Sequence, residues 1–201
     1  MSRGTGPWGG DADYLRLGAL APISGPYDLR NAQIPASLDE GGALDPEASA
    51  FYLSYALVSW NRLFHLYDSP SEAFKAPYDT KVPALFDGQH AEDEVFPQLP
   101  TRVRDLLTPR YVHRFQHPDA RLDQAFRSAD GTCGWRPRVP VRLIGAAGDE
   151  QVPFANTTSC LRALRSHGAR PSVTDYGAGT RHFGTMYRGL PDTLRWFRTL
   201  K

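Results

Sequence analysis

The sequence has no long apolar run, no excess of charge of either sign and few cysteines. No stretch approaches the roughly 20 apolar residues that a membrane-spanning helix needs, and residues 1–14 have neither the basic nor the apolar region of a signal peptide. Since 23 Lys and Arg balance 22 Asp and Glu, charge gives no reason to expect a nucleic acid or an anionic membrane as partner. We expect a soluble chain with no export signal, no integral membrane segment and no nucleic-acid partner.

The two cysteines, Cys133 and Cys160, are too few for a disulfide-rich scaffold or a zinc site of four cysteines. A disulfide between them would close a loop of roughly 27 residues and stabilise the fold by about 3 to 4 kcal/mol in an oxidising compartment. Two buried free thiols fit the sequence equally well, because the separation of the two side chains does not follow from their positions in the chain.

The chain divides into regions of different character. Residues 1–14 are rich in glycine and are predicted to be a poorly ordered lead-in. Residues 15–44 and 131–201 combine apolar runs with helical patterns, with strands predicted at 15–23, 139–146 and 171–176 and helices at 156–167 and 191–200. This alternation predicts an α/β fold of about three parallel strands with flanking helices.

Residues 45–130, here called the helical block, contain helical patterns broken by prolines. Helices are predicted at 48–67, 71–74, 91–98, 101–107 and 109–115. The first is aromatic and apolar around much of its circumference, so it must be covered on several sides. It fits an ordinary core helix, and it also fits a lid insertion whose aromatic side chains line a substrate pocket.

Two stretches carry residues suited to catalysis. Residues 145–153, GAAGDEQVP, follow a predicted strand, and open parallel sheets place functional groups at that end of their strands. Residues 180–184, TRHFG, follow the next predicted strand, so one crossover separates Asp149 from His182. An imidazole takes a proton from a nucleophile, and a carboxylate fixes its tautomer and stabilises the imidazolium. Asp149 and His182 could supply both groups, although Gly-Asp after a strand is also an ordinary turn.

These stretches resemble the acid turn and the histidine loop of α/β-hydrolases, in particular bacterial secretory-lipase and esterase-like members. In that family the chain order is serine, acid, histidine, and the acid turn continues into Val-Pro, as at Val152-Pro153. Residues 18–29, GALAPISGPYDL, resemble the strand and turn after the nucleophile helix, and the helix around Trp60-Asn61 and the two cysteine positions are also similar. The resemblance runs from about residue 15 to residue 200.

The resemblance implies the C-terminal half of an α/β-hydrolase fold, with Asp149 as catalytic acid, His182 as catalytic histidine and the helical block as a lid. It implies a serine hydrolase of esterase or lipase type, acting on a small-molecule carboxylic ester or lipid through an acyl-serine, with peptides as the second substrate class. No cofactor is expected, and complete relatives are expected to be secreted.

One departure from the family is serious, because the sequence contains no Gly-x-Ser-x-Gly pentapeptide. The nearest imitation, residues 131–135 around Cys133, is preceded by a predicted loop and followed by a strand, whereas a nucleophile turn needs a strand before it and a helix after it. Ser24 follows a predicted strand, but Gly25-Pro26 leads into a loop, so a turn serine is the better interpretation. The early strands of the family's sheet are absent too.

Three hypotheses follow from this departure. The first is a serine hydrolase whose recorded chain begins late, with serine and oxyanion donors upstream. The second is a non-catalytic remnant that binds a partner chain or itself through the exposed first strand. The third is a two-chain enzyme in which a separate polypeptide donates the nucleophile.

The other histidines are expected to be structural or exposed. His113 and His117 are four residues apart and could share a helix face, but no glutamate follows His113 directly, as it does in the metalloprotease motif. No metal site is therefore predicted. The remaining histidines are His65, His90 and His167.

Overall fold

The computed structural model describes residues 16–200, so the predicted lead-in at 1–14 lies outside the described residues. Two parallel strands form a small sheet, β1 (Arg142–Gly145) and β2 (Ser172–Asp175), with Arg142 opposite Ser172 and Gly145 opposite Asp175. Nine α-helices lie in the described part of the chain: α1 (Ile34–Leu38), α2 (Pro46–Phe64), α3 (Tyr78–Leu85), α4 (Glu92–Val95), α5 (Val103–Leu106), α6 (Pro109–Gln116), α7 (Ala120–Ala129), α8 (Ala155–Ser166) and α9 (His182–Arg198).

The prediction of three full strands is wrong for the first of them. Residues 20–23 lie parallel to β1 but form only two isolated bridges, Leu20 with Val141 and Ile23 with Ile144. The Leu20 N–H donates to the Pro140 carbonyl at 3.0 Å, and the Ser24 N–H donates to the Ile144 carbonyl at 2.8 Å. Pro22 lies between these two donors and has no N–H to give, so the ladder is interrupted there. The result is two strands flanked by an extended segment.

The helical block is helical as predicted, with different boundaries. Its first helix is confirmed as α2, and the predicted helix at 109–115 is confirmed as α6. The predicted helix at 71–74 is wrong: only a 3₁₀ turn forms at Pro70–Glu72, and Phe74 then pairs with Leu107 in an antiparallel bridge. The predicted helix at 91–98 splits into α4 and a 3₁₀ turn at Phe96–Gln98, because Pro97 cannot donate to an α-helical ladder.

Two hydrophobic cores within residues 16–200 support this arrangement. The larger lies among α1, α2, α3, α5, α6 and α7 and includes the fully buried side chains Leu57, Val82, Leu106 and Leu122. The smaller packs β1 against α8 through Leu143 and Leu164. It contains a disulfide between Cys133 and Cys160, so the alternative of two free thiols does not hold.

The terminal helix begins earlier than predicted. Proline favours the first turn of a helix, which is why the sequence suggests a start at Pro191. In the structure Pro191 lies inside α9, which begins at His182, so the expected loop position of His182 is wrong. Packing explains the earlier start, since Thr185 and Gly189 are buried. A side chain at 189 would place its Cβ 2.9 Å from the Ile23 Cδ1 atom.

The described residues contain no helix long and apolar enough to cross a membrane. Within the same part of the chain, no group of three or more His, Cys, Asp or Glu side chains is arranged to hold a metal ion. His113 and His117 do share a helix face, with ring centroids 4.3 Å apart, but as a stacked pair.

Candidate active site

The acid turn, residues 146–152, begins at the carboxyl end of β1 and packs against the loop that follows β2. The Gly148 N–H donates to the Gly177 carbonyl at 3.3 Å. A Cβ atom at position 148 would lie 2.1 Å from the Ala178 carbonyl oxygen, so only glycine allows the two backbones to approach this closely. This contact brings the residue after Gly148 next to the start of α9.

Asp149 is 5% exposed, and its carboxylate is held by three donors. Oδ1 accepts the N–H groups of Gln151 at 3.0 Å and of Val152 at 2.9 Å, and the carboxylate also accepts from His182. Burial on its own would raise the pKa of Asp149, but the His182 bond and the two backbone bonds together lower that pKa below its ordinary value. Asp149 is therefore an ionised, fixed carboxylate at neutral pH.

His182 is the first residue of α9 and turns its ring toward this carboxylate. Its Nδ1 atom lies 3.0 Å from Oδ1 and 2.9 Å from Oδ2 of Asp149. The hydrogen bond with Asp149 raises the pKa of His182 above its ordinary value, against the opposing effect of burial. Because Nδ1 carries the proton donated to the carboxylate, the neutral ring has an unprotonated Nε2. No protein group within residues 16–200 forms a hydrogen bond with Nε2.

A series of hydrogen bonds between polar groups, most of them buried, anchors the acid turn. The Gln33 side-chain amide donates to the Gln151 carbonyl at 2.8 Å, and Asn156 donates to the Gln33 side-chain oxygen at 3.0 Å. The Asp28 N–H in turn donates to the Asn156 side-chain oxygen at 2.9 Å. Asn156 is fully buried, so these bonds satisfy polar groups that water does not reach. The helical block adds two bonds, from the Tyr52 hydroxyl to Oε1 of Gln151 at 2.8 Å and from the Asp45 N–H to the Glu150 carbonyl at 2.7 Å.

Solved structures of two hydrolytic proteins have a similar fold. A protein assigned as a hydrolase from Legionella pneumophila matches 94% of this chain with a TM-score of 0.82 and 23% identity. A rice cell wall degrading esterase, LipA from Xanthomonas oryzae, matches 91% with a TM-score of 0.71 and 23% identity, and its ligand-bound form matches 84% with a TM-score of 0.69 and 25% identity.

This chain has an esterase-like fold, and it corresponds to only part of these proteins. It spans 49% of the Legionella chain and 48% and 45% of the two esterase structures. No protein-family model matches the sequence, and no curated protein matches it.

Within residues 16–200, neither of the two nucleophile candidates, Cys133 and Ser24, forms a side-chain hydrogen bond with Asp149 or His182. Cys133 has no free thiol, because it is bonded to Cys160. Ser24 is 8% exposed and adopts a left-handed backbone conformation, with φ of 45°. Its buried Oγ makes no hydrogen bond within residues 16–200, to His182 or to any other group. Of the candidate catalytic residues that the sequence singles out, Asp149 and His182 are the two that the structure joins by a hydrogen bond.

The contribution of this pair to stability should depend on pH. The pKa of His182 is raised, so its contribution is complete below the ordinary value of 6.5 and is lost as pH rises through the folded-state pKa. The pKa of Asp149 is lowered, so its contribution is complete above 3.8 and is lost as pH falls through the folded-state pKa. The pair should stabilise the fold most between these limits.

The variant Asp149→Asn tests this dependence. We expect the His182 pKa, measured by NMR titration of its ring protons, to fall, because the neutral amide no longer favours the imidazolium. The melting temperature should drop most relative to the unmodified protein near pH 5, and the difference should shrink as pH rises through the raised pKa of His182. An equal difference at every pH would show that charge pairing does not contribute. Asp93→Asn, at an exposed acidic residue of α4, is the matched control.

Proposed function

We propose that Asp149 and His182 are the acid and base of a serine hydrolase of esterase type, whose serine and oxyanion donors come from polypeptide outside this chain. One observation carries the proposal: a buried carboxylate holds Nδ1 of His182, and Nε2 is left without a protein partner within residues 16–200. This is the arrangement in which an imidazole accepts a proton from a serine hydroxyl.

The chemistry then runs through an acyl-serine. Nε2 of His182 takes the proton from the serine hydroxyl while the serine oxygen bonds to the ester carbonyl carbon. Asp149 stabilises the imidazolium that forms, and the imidazolium gives its proton to the departing alcohol oxygen. In the second half, Nε2 takes a proton from water as the water oxygen attacks the acyl-serine, and the proton returns to the serine when the acid leaves.

Carboxylic esters are the first choice of substrate, and peptides are the second. The similarity to the Xanthomonas esterase, whose fold this chain shares over about half of that protein, favours esters. We assign residues 15–44 and 131–201 to the hydrolase core half and residues 45–130 to a lid that sets substrate preference. The Tyr52 bond to Gln151 supports this division, since it links the helical block to the acid turn.

The sheet edge supports a contribution from further polypeptide. Residues 20–24 use backbone groups to pair with β1, and within residues 16–200 no strand pairs with their other side. An open edge of this kind is a template for another strand. The absence of Gly-x-Ser-x-Gly from the sequence agrees with a nucleophile on that additional segment.

A fusion protein tests the proposal. The part of the Legionella hydrolase that this chain does not match would be joined to residues 16–200 to give a completed enzyme, and hydrolysis of p-nitrophenyl esters would be measured. We expect hydrolysis by the fusion and none by the 201-residue chain. A folded fusion without activity, or with activity that His182→Ala leaves unchanged, would contradict the proposal.

A second candidate is a non-catalytic protein that binds another chain or itself. The observation that favours it is an exposed apolar stripe along α9, formed by Phe183, Met186, Tyr187, Leu190, Leu194 and Phe197. Their spacing of three and four residues places them along one side of the helix. Light scattering of the 201-residue chain decides between a monomer and a stable oligomer, and this candidate predicts the oligomer.

A further inference from the structure

The acid turn supplies a second buried carboxylate, next to the first. Glu150 is 8% exposed, and its Oε2 atom accepts the backbone N–H of His182 at 3.0 Å. The same oxygen lies 3.1 Å from Nε of Arg181. Asp149 and Glu150 therefore hold the same histidine at two points, the ring and the main chain.

The bond to the main chain satisfies a group that the helix leaves open. His182 is the first residue of α9, and the first N–H groups of a helix have no acceptor within it. Arg181, at the N-cap position, forms no side-chain capping bond. A carboxylate is the strongest acceptor for such a group, because it is charged and faces the positive end of the helix dipole. Glu150 caps α9 from a different element of the fold.

Glu150 is itself fixed in the structure. Its backbone carbonyl accepts the N–H of Asp45, the N-cap residue of α2, at 2.7 Å. The residues on either side are fixed too, since Asp149 bonds His182 and Gln151 bonds Gln33 and Tyr52. The Glu150 carboxylate therefore has little freedom to move away from the start of α9.

We propose that Glu150 is a positioning residue, which fixes the main chain of His182 so that the ring meets Asp149 in one orientation. The catalytic meaning of this role rests on the proposed function. The ion pair with Arg181 contributes less, because the Arg181 side chain is 70% exposed and exposed ion pairs are weak. The charged groups that act on His182 are Asp149 and Glu150 from the acid turn, and Arg181, the preceding residue, pairs with Glu150.

Three variants of the 201-residue chain separate geometry from charge. Glu150→Gln keeps an acceptor oxygen at the same reach but loses the charge. Glu150→Asp keeps the charge but withdraws the oxygen by one methylene group. Arg181→Gln removes the ion pair and leaves the carboxylate in place. The readout is the low-field NMR resonance of the His182 Nδ1 proton, which reports the bond to Asp149, together with the pKa of His182.

We expect the low-field resonance to persist in Glu150→Gln and Arg181→Gln and to broaden or disappear in Glu150→Asp. The pKa of His182 should fall in Glu150→Gln, which loses a nearby negative charge. A resonance that persists in Glu150→Asp, or that disappears in Glu150→Gln while the protein stays folded, would overturn the proposal. Circular dichroism of each variant establishes the folded state, and these conservative variants avoid the larger truncation to alanine.

Kinetics of the completed enzyme give a second readout. Glu150→Asp should lower kcat by up to about 10²-fold, the order expected for a misplaced catalytic group, with KM unchanged. If the unmodified fusion hydrolyses no ester but the His182 resonance behaves in the variants as expected, the proposed function is overturned and the positioning role stands. An active fusion whose NMR pattern does not follow these expectations would overturn the positioning role alone.

Discussion

Replacing His182 by alanine in the completed enzyme is expected to lower kcat for ester hydrolysis by about 10⁴- to 10⁶-fold, the range found when members of such triads are removed from serine proteases. The reason is that, in the proposed mechanism, Nε2 of His182 takes the serine proton. Asp149 holds Nδ1 at 2.9 Å and so fixes the orientation of the ring. Binding should change little, so KM should stay within a few-fold of its unmodified value.

Asp149→Asn should lower kcat by about 10⁴-fold, because an amide can hold the imidazole in the wrong tautomer while leaving the geometry intact. His167→Ala, at an exposed histidine at the end of α8, is the matched control and should leave kcat unchanged. A fusion in which His167→Ala and His182→Ala have equal effects would contradict the role of His182.

Replacing both cysteines by alanine is expected to lower the free energy of unfolding by about 3 to 4 kcal/mol, the chain-entropy value for a closed loop of this size. The Cys133–Cys160 disulfide closes 27 residues, and that loop contains β1 and the acid turn. Opening it gives the unfolded chain more freedom and loosens the smaller core, in which Leu143 and Leu164 pack beside the disulfide.

Chemical denaturation of the double variant measures this loss. The unmodified protein under reducing conditions provides the control, since it should lose a similar amount of stability without any change of side chain. A difference below about 1 kcal/mol would contradict the expected contribution of the closed loop. Because the acid turn lies within the loop that the disulfide closes, losing the disulfide should also disturb the candidate active site.

The sequence was most informative where function depends on the order of elements along the chain. A buried apolar run followed by Gly-Asp, and a histidine after the next run, place two side chains at the same edge of a parallel sheet. The structure has that topology, with β1 and β2 paired in parallel and Asp149 bonded to His182. The positions of Asp149 after β1 and of His182 after β2 were therefore predictable from local sequence patterns.

The supporting network was not predictable, because its partners lie far apart in sequence. Gln33 and Asn156 are separated by 123 residues and carry no periodic signal. Glu150 stands beside the predicted acid, but its bond to the N–H of His182 depends on where α9 begins. That start was hidden by Pro191, since tertiary packing overrides the preference of proline for a first turn.

Local chemistry also explains the missed helices and the interrupted strand. The helix α7 had a readable signal, because Asp119 accepts the N–H of Leu122 as an N-cap residue does. The helices α1 and α3 had weaker signals and depend on burial in the larger core. Pro22 lies in an apolar run that otherwise reads as a strand, and its missing N–H limits the pairing with β1 to isolated bridges.

The most direct test of the central claim is fluorophosphonate labelling followed by intact-mass measurement. The completed enzyme, its His182→Ala variant and the 201-residue chain would be treated in parallel. The account predicts one stoichiometric adduct on the completed enzyme, on a serine of the added segment, and none on the other two proteins. A stoichiometric adduct on the 201-residue chain, or an adduct on the completed enzyme that survives His182→Ala, would contradict it.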